Sequence, residues 1–476
     1  MRKTKTASIM VCAWSMGWML VVSGILVGKA QAAKPNVVFL LTDDQRPDTI
    51  AAFGNAKIHT PTLDSLVKAG VSFPRAVCAY PLCYPSRAEI LTGCIGFRTG
   101  VFPDYSNRLA DNIPLWPEVM REAGYHTWYV GKWHTTGKPT TRGYESSLGL
   151  YMGGGGQWWK DHNDAWGHAV TGYRGWVFQT DDGKLFPEKG VGLTPDISSH
   201  FADAAIELIR RKTPEPFFLH VNFTAPHDPL FYPSGYEKKY PPADMEVPKN
   251  FLPTHPFDHG NQGGRDENLW PTPRTEQDVR NELSVYYALI SHLDTQVGRI
   301  VAALKETSQW ENTILIFASD HGLAIGSHGL RGKQNMYEHT INVPLIICGP
   351  GIPQNVRHPA QVYLRDLYPT VCEMSQIATS KTMDGRSLVG LWTGKTQAIH
   401  PYIFGYFRDS QRMVRGDRWK LIHYPQQQKY QLFDLFNDPL EMKDRAADAD
   451  AKPELEKLRQ VLLTWQQQVG DPLLKP

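Results

Sequence analysis

Asn36-Val37-Val38-Phe39-Leu40-Leu41-Thr42-Asp43-Asp44 is a short apolar run, Val37 to Leu41, that ends abruptly in two acids. Four more such runs occur: Thr127 to Val130, Phe217 to Phe223, Thr313 to Phe317 and Leu345 to Cys348. Each has the look of a strand covered on both faces. Helical patterns alternate with them. Leu115 to Ala123 ends at Gly124, a residue suited to a helix C-terminus. Glu282 to Leu304 sets Tyr286, Leu289, Ile290, Leu293, Val297, Ile300, Val301 and Leu304 on one stripe at helical spacing. The alternation predicts an α/β fold: a large, mixed, mostly parallel sheet sandwiched by helices.

The residues just after each run carry the chemistry. Beyond Asp43-Asp44, Thr127 to Val130 leads into Gly131-Lys132-Trp133-His134, and Phe217 to Phe223 into Ala225-Pro226-His227-Asp228. Thr313 to Phe317 leads into Ser319-Asp320-His321-Gly322. In an open α/β sheet, ligands bind at the C-terminal strand edge. Charged or metal-competent groups after four separate strands point to a site there.

Outside this core, Tyr151 to Phe178 holds Gly153 to Gly156, Trp158, Trp159, Trp166, Trp176, His162 and Arg174. Asp228 to Pro273 is rich in Pro, Tyr and Gly. Both read as long ordered loops over the sheet edge. After about Met374 the pattern changes: Trp419 to Tyr424 and Gln431 to Leu435 read as strands, Asn437-Asp438-Pro439 as a turn, and Pro453 to Val469 as a polar helix. The expected organisation is a catalytic α/β domain over 33–374 and a smaller C-terminal antiparallel sheet with a helix over 375–476.

The chain has 476 residues, 41% hydrophobic and 21% charged, a globular balance that excludes a disordered chain. Fifty Lys+Arg against 48 Asp+Glu leaves no basic excess for nucleic acid. Residues 1–32 read as a secretory signal peptide: Arg2, Lys3 and Lys5, an apolar stretch from Ile9 to Val27, then Ala30-Gln31-Ala32 before Ala33. The protein is expected to be exported, periplasmic or secreted, with no membrane span in the mature chain.

Cys83 stands in Cys83-Tyr84-Pro85-Ser86-Arg87, followed by Leu91-Thr92-Gly93. This segment resembles the signature of the type I, formylglycine-dependent sulfatases of the alkaline phosphatase superfamily. The resemblance runs on through Asn36 to Asp44, Ser319 to Gly322, Gly329-Leu330-Arg331-Gly332-Lys333 and Leu432-Phe433-Asp434-Leu435. It leans towards the branch that is similar to iduronate-2-sulfatase and bacterial polysaccharide sulfatases. One departure is Thr135-Thr136-Gly137 after His134, where many members have Leu-Gly.

The resemblance implies an alkaline-phosphatase-like fold and conversion of Cys83 to Cα-formylglycine by a formylglycine-generating enzyme. It further implies one calcium ion held by Asp43, Asp44, residue 83, Asp320 and His321, although imidazole is less typical for so hard an ion. One hydroxyl of the hydrated aldehyde would attack sulfur and the other would drive sulfate release. Arg87, Lys132 and Lys333 are implied as cations for the sulfate, and His134 and His227 as proton-transfer groups at the nucleophile and the leaving oxygen. The substrate expected is a sulfated carbohydrate, with Trp158, Trp159, His162 and Arg174 as sugar contacts. Two other functions fit the family: a phosphonate monoester hydrolase or phosphodiesterase, and an inert glycan-binding homologue. Cys78 with Cys94, and Cys348 with Cys372, are conceivable disulfides or buried thiols.

Overall fold

The computed structural model describes residues 34–102, 109–380 and 382–474, together with Met1, Ala7, Ser8 and Met10. Apart from those four residues, the proposed signal peptide and its cleavage site lie outside the described residues; the described fold starts at Lys34.

Five parallel strands form the middle of a ten-stranded sheet. In spatial order they are Thr313–Ser319, Asn36–Thr42, Phe217–Asn222, His126–Lys132 and Ser146–Gly153. The first three are buried along their whole length, which is why their sequences are continuously apolar rather than alternating. Each large apolar side chain buried there contributes about 1.5–3 kcal/mol. Leu345–Cys348 joins the same sheet but runs antiparallel to Thr313–Ser319. At the far edge, Leu185–Val191 exposes Glu188 and Lys189, charges that discourage pairing with another chain.

The long helix extends further than its apolar stripe, over Glu276–Glu306, because Thr275 caps it. The Thr275 hydroxyl accepts from the Asp278 N–H at 3.1 Å, and the Asp278 carboxylate accepts from the Thr275 N–H at 2.9 Å. The Trp-rich insert differs from its expected form as a loop. Its ends are the antiparallel strands Ser146–Gly153 and Trp176–Gln179, which extend the main sheet. Its many glycines and polar residues hide that pairing from a pattern search.

Four antiparallel strands make the smaller sheet: Ile403–Phe407, Gln411–Arg415, Trp419–Tyr424 and Lys429–Asp434. The Lys452–Val469 helix buries Leu458, Leu462 and Trp465 in the same apolar cluster. Tyr406 of this sheet accepts from the Gly96 N–H at 2.6 Å and donates to Glu89. Glu89 lies on the Cys83–Thr92 helix, so the small sheet braces the element that opens with Cys83. Among the described residues no helix is long and apolar enough to cross a membrane.

Candidate active site

Strand register brings the acids together. Thr42 lies beside Ser319 in parallel pairing, so Asp43-Asp44 and Asp320-His321 leave the sheet side by side. Asp44 takes a left-handed backbone, φ 68°, a conformation that Asp tolerates better than most residues. Its N–H bonds Asp320 Oδ1 at 3.2 Å. At the end of His126–Lys132, one strand beyond Phe217–Asn222, Gly131 has φ 96°, and a Cβ there would fall 2.0 Å from the Asn222 carbonyl oxygen. Glycine is therefore required where the strand delivers Lys132.

Cys83 opens its helix, where the backbone dipole favours negative charge. Its Sγ lies 3.3 Å from Asp43 Oδ1, 3.3 Å from His321 Nε2 and 3.5 Å from Lys333 Nζ. Lys132 pairs with Asp43, Lys333 with Asp44 at 2.8 Å, and Arg87 with Asp320 at 3.0 Å. His134 lies beside Cys83. His227 Nε2 sits 3.7 Å from Asp44, while its Nδ1 lies 2.6 Å from the Asp228 carbonyl oxygen. Asp43, Asp44, Asp320 and His321 are fully buried.

Burial pushes the Cys83 thiol up, but Lys132, Lys333 and His321 outweigh it and hold the thiol well below its ordinary value. Burial and Cys83 act to raise Asp43, yet Lys132, His227 and Arg87 keep it well below the usual carboxylate range. Asp320 goes the other way: burial and the Asp43 charge push it up to about 7. Burial depresses His134 and would depress His227, but Asp44 beside His227 raises it. The site stabilises an anion at position 83 and leaves one carboxylate, Asp320, under-compensated.

That imbalance fits a metal. Asp43, Cys83, Asp320 and His321 offer ligand atoms within 4.8 Å of one another, as do Asp43, Asp44, Cys83 and His227. Three buried carboxylates form a hard-oxygen donor set suited to a divalent ion. The five expected metal positions and all six expected catalytic positions thus meet in one cluster. Among the described residues, no hydrogen bond, ion pair or ring contact joins Trp158, Trp159, His162 or Arg174 to it. Trp158, His162 and Arg174 are exposed and Trp159 is half-buried.

The chain matches the sulfatase family model over residues 35–377 and the C-terminal model for N-sulphoglucosamine sulphohydrolase over 326–468. The chain belongs to the sulfatase family. It is therefore a sulfuric ester hydrolase on an alkaline-phosphatase-like fold. An arylsulfatase of Clostridium perfringens is 28% identical, over 90% of this chain and 94% of its own. BT4656, solved with its substrate D-glucosamine-2-N,6-O-disulfate, shares the fold at TM-score 0.75 and 21% identity, over 93% of this chain and 100% of its own. The phosphonate monoester hydrolase of Agrobacterium radiobacter does so at TM-score 0.74 and 23% identity, over 92% and 96%.

Two residues of this sulfatase's site were not singled out by the sequence, and a third, Asp228, was quoted only as the neighbour of His227. Tyr173 donates to Asp43 Oδ2 at 2.6 Å, lies under the Lys132 ammonium with 5.1 Å from Nζ to ring centroid, and meets His227 edge-on. Only its place in the aromatic insert hinted at a role. Asn222 accepts from Arg87 Nη1 at 2.5 Å, and its position at the end of a buried strand was the available signal. Asp228 lies between His227 and the guanidinium groups of Arg265 and Arg331. All five described cysteines, Cys78, Cys83, Cys94, Cys348 and Cys372, are free thiols, so neither conceivable disulfide forms.

Proposed function

We propose that this sulfatase removes sulfate from a sulfated carbohydrate, with Cys83 matured to formylglycine and calcium as its ion. The observation that carries the reading is the convergence on position 83 of Asp43, His321 and Lys333, each within 3.5 Å of its side chain. A formylglycine hydrate there would supply a hydroxyl nucleophile, and a calcium ion held by Asp43, Asp44, Asp320 and His321 would supply Lewis acidity.

The chain's own groups do the rest. Lys132, Lys333 and Arg87 set positive charge around a tetrahedral anion whose charge moves onto the leaving oxygen. His134 is placed to take a proton at position 83. His227, raised by Asp44 and with Nδ1 engaged by the Asp228 carbonyl, holds a proton on Nε2 for the departing alcohol. Burial of the acids excludes competing water and strengthens each of these interactions.

The carbohydrate is supported by BT4656, whose substrate is a sulfated glucosamine, and by the exposed Trp158 and its neighbours Trp159, His162 and Arg174. Residues 33–374 serve as the catalytic domain and 375–476 as a supporting subdomain; the sulfatase match ends nearby, at 377. Export behind residues 1–32, with maturation by a formylglycine-generating enzyme, rests on the sequence pattern. The phosphonate monoester hydrolase neighbour supports a second reading, phosphonate ester hydrolysis at the same site. An inert glycan-binding role is disfavoured because every catalytic position is filled. Sulfate release from a panel of defined sulfated oligosaccharides tests the proposal, alongside aryl sulfate and aryl phosphonate. Faster turnover of the phosphonate than of every sulfate would reverse it.

A further inference from the structure

Behind His134 lies a small internal cavity of about 10 Å³. Arg87, His134, Thr135, His220 and Asn222 line it. Five of their buried polar atoms have no hydrogen bond among the described residues: Arg87 Nη2, which still faces the Asp320 carboxylate at 3.0 Å, and His134 Nδ1, Thr135 Oγ1, His220 Nε2 and Asn222 Nδ2, which have no such counter-charge. His220 and Asn222 are 3% and 1% exposed, so bulk solvent does not reach them. An unpaired buried donor or acceptor costs about 1–3 kcal/mol, and this many in one place is rare in a folded protein. A cavity of this size holds one water, and a water needs two to four polar partners.

We propose that this cavity binds a single structural water through which His220 and Thr135 orient His134; the proposal rests on His134 being the proton acceptor at position 83. One water can serve all four of these atoms. Asn222 Nδ2 is a donor only, so it fills one lone pair of the water. His134 Nδ1–H fills the other. The water's two hydrogens then go to His220 Nε2 and Thr135 Oγ1. His220 Nδ1–H is left to donate to the Tyr144 hydroxyl, 2.7 Å away. Burial keeps His220 neutral, as an acceptor at Nε2 must be.

The consequence is a fixed tautomer. With its proton held on Nδ1, His134 keeps Nε2 as its lone-pair nitrogen, and the ring lies beside position 83, where a proton acceptor is needed. Imidazoles at catalytic and metal sites are commonly fixed in this way by a partner on the other nitrogen, and losing that partner costs roughly 10–100-fold in activity. His220 and Thr135 are positioning residues in this arrangement, because among the described residues neither is in contact with position 83.

Two substitutions separate positioning from folding. His220→Phe keeps the ring stacked on Phe39, at 4.6 Å between centroids, but removes Nε2 and, with Nδ1, the bond to Tyr144, which Thr135→Val leaves intact. Thr135→Val keeps the shape and removes the hydroxyl. The expected result on matured, metal-loaded protein is kcat lowered by about 10–100-fold in His220→Phe and less in Thr135→Val, with KM within about twofold for both. A crystal structure of the wild type should show one ordered water bonded to Asn222 and His220, and none in His220→Phe. Nitrogen-15 NMR of the wild type should find the His134 proton on Nδ1. Wild-type kcat in both folded variants, a dry cavity, or the proton on Nε2 would each overturn the proposal. Wild type that binds the water yet releases no sulfate would instead overturn the sulfatase reading of the site and leave the water site standing.

Discussion

Lys333 grips both oxygens of Asp44, at 2.8 and 3.0 Å, while its ammonium stays 3.5 Å from the Cys83 sulfur. One cation thus faces an acid of the proposed metal set and the proposed nucleophile position together. Burial would strip its proton, but Asp44 and Cys83 hold it charged, raised well above an ordinary lysine.

Replacing Lys333 with Met removes charge placed for the transition state. The expected loss is about 100–1,000-fold in kcat, with a smaller change in KM, measured on an aryl sulfate at saturating metal. An unchanged kcat would place Lys333 outside the reaction.

Arg87→Met leaves Asp320 buried beside Asp43 without its guanidinium, which lies 3.0 Å away in the folded protein. Removing one partner of a buried pair costs about 3–5 kcal/mol, so a marked drop in the denaturation midpoint is expected in metal-free protein. Adding a divalent ion should recover part of that loss, because it too balances Asp320.

Chelation makes a related prediction. Stripping divalent ions should lower the melting temperature and abolish turnover, and calcium should restore both in a concentration-dependent way. Full activity after exhaustive chelation would exclude an ion at Asp43, Asp44 and Asp320.

Tyr173→Phe keeps the ring under Lys132 and against His227 but deletes the hydroxyl bonded to Asp43. Calcium affinity measured by titration should change by roughly tenfold while the melting temperature of the metal-free protein moves little. Identical calcium affinity would make Tyr173 a packing residue alone.

Acid stability depends on a separate cluster. Burial, with His259 beside it, pushes His255 down to about 4, and burial does the same for His259 and for His328. Each is no more than 6% exposed. Unfolded, these histidines take up protons near pH 6.5; folded, they resist until about 4. The unfolded state therefore binds more protons in that window, and stability falls as pH drops from about 6.5 to about 4, by about 3 kcal/mol per histidine at most. Replacing His259 with Phe should flatten that fall in denaturation measured across the window. An unchanged slope would show that His259 titrates normally.

The strands that carry the site were legible because burial on both faces forces continuous apolar runs, as in Val37–Leu41 and Thr313–Phe317. Asp43, Asp320, Lys132 and His227 were legible because they end such runs, and Cys83 and Lys333 because their motifs are long. Tyr173 was not, since its reach to Asp43 depends on how a glycine-rich insert folds back along a sheet edge. His220 was hidden for the opposite reason. It sits inside an apolar strand, where only three-dimensional packing reveals that Nε2 faces a cavity.

Sulfate release by matured wild-type protein and by Cys83→Ala, in the same calcium buffer, tests the central claim most directly. The expected result is turnover by the wild type, none above background by the variant, and equal melting temperatures once both proteins are stripped of metal. Near-normal sulfate release by folded Cys83→Ala would contradict formylglycine chemistry at position 83.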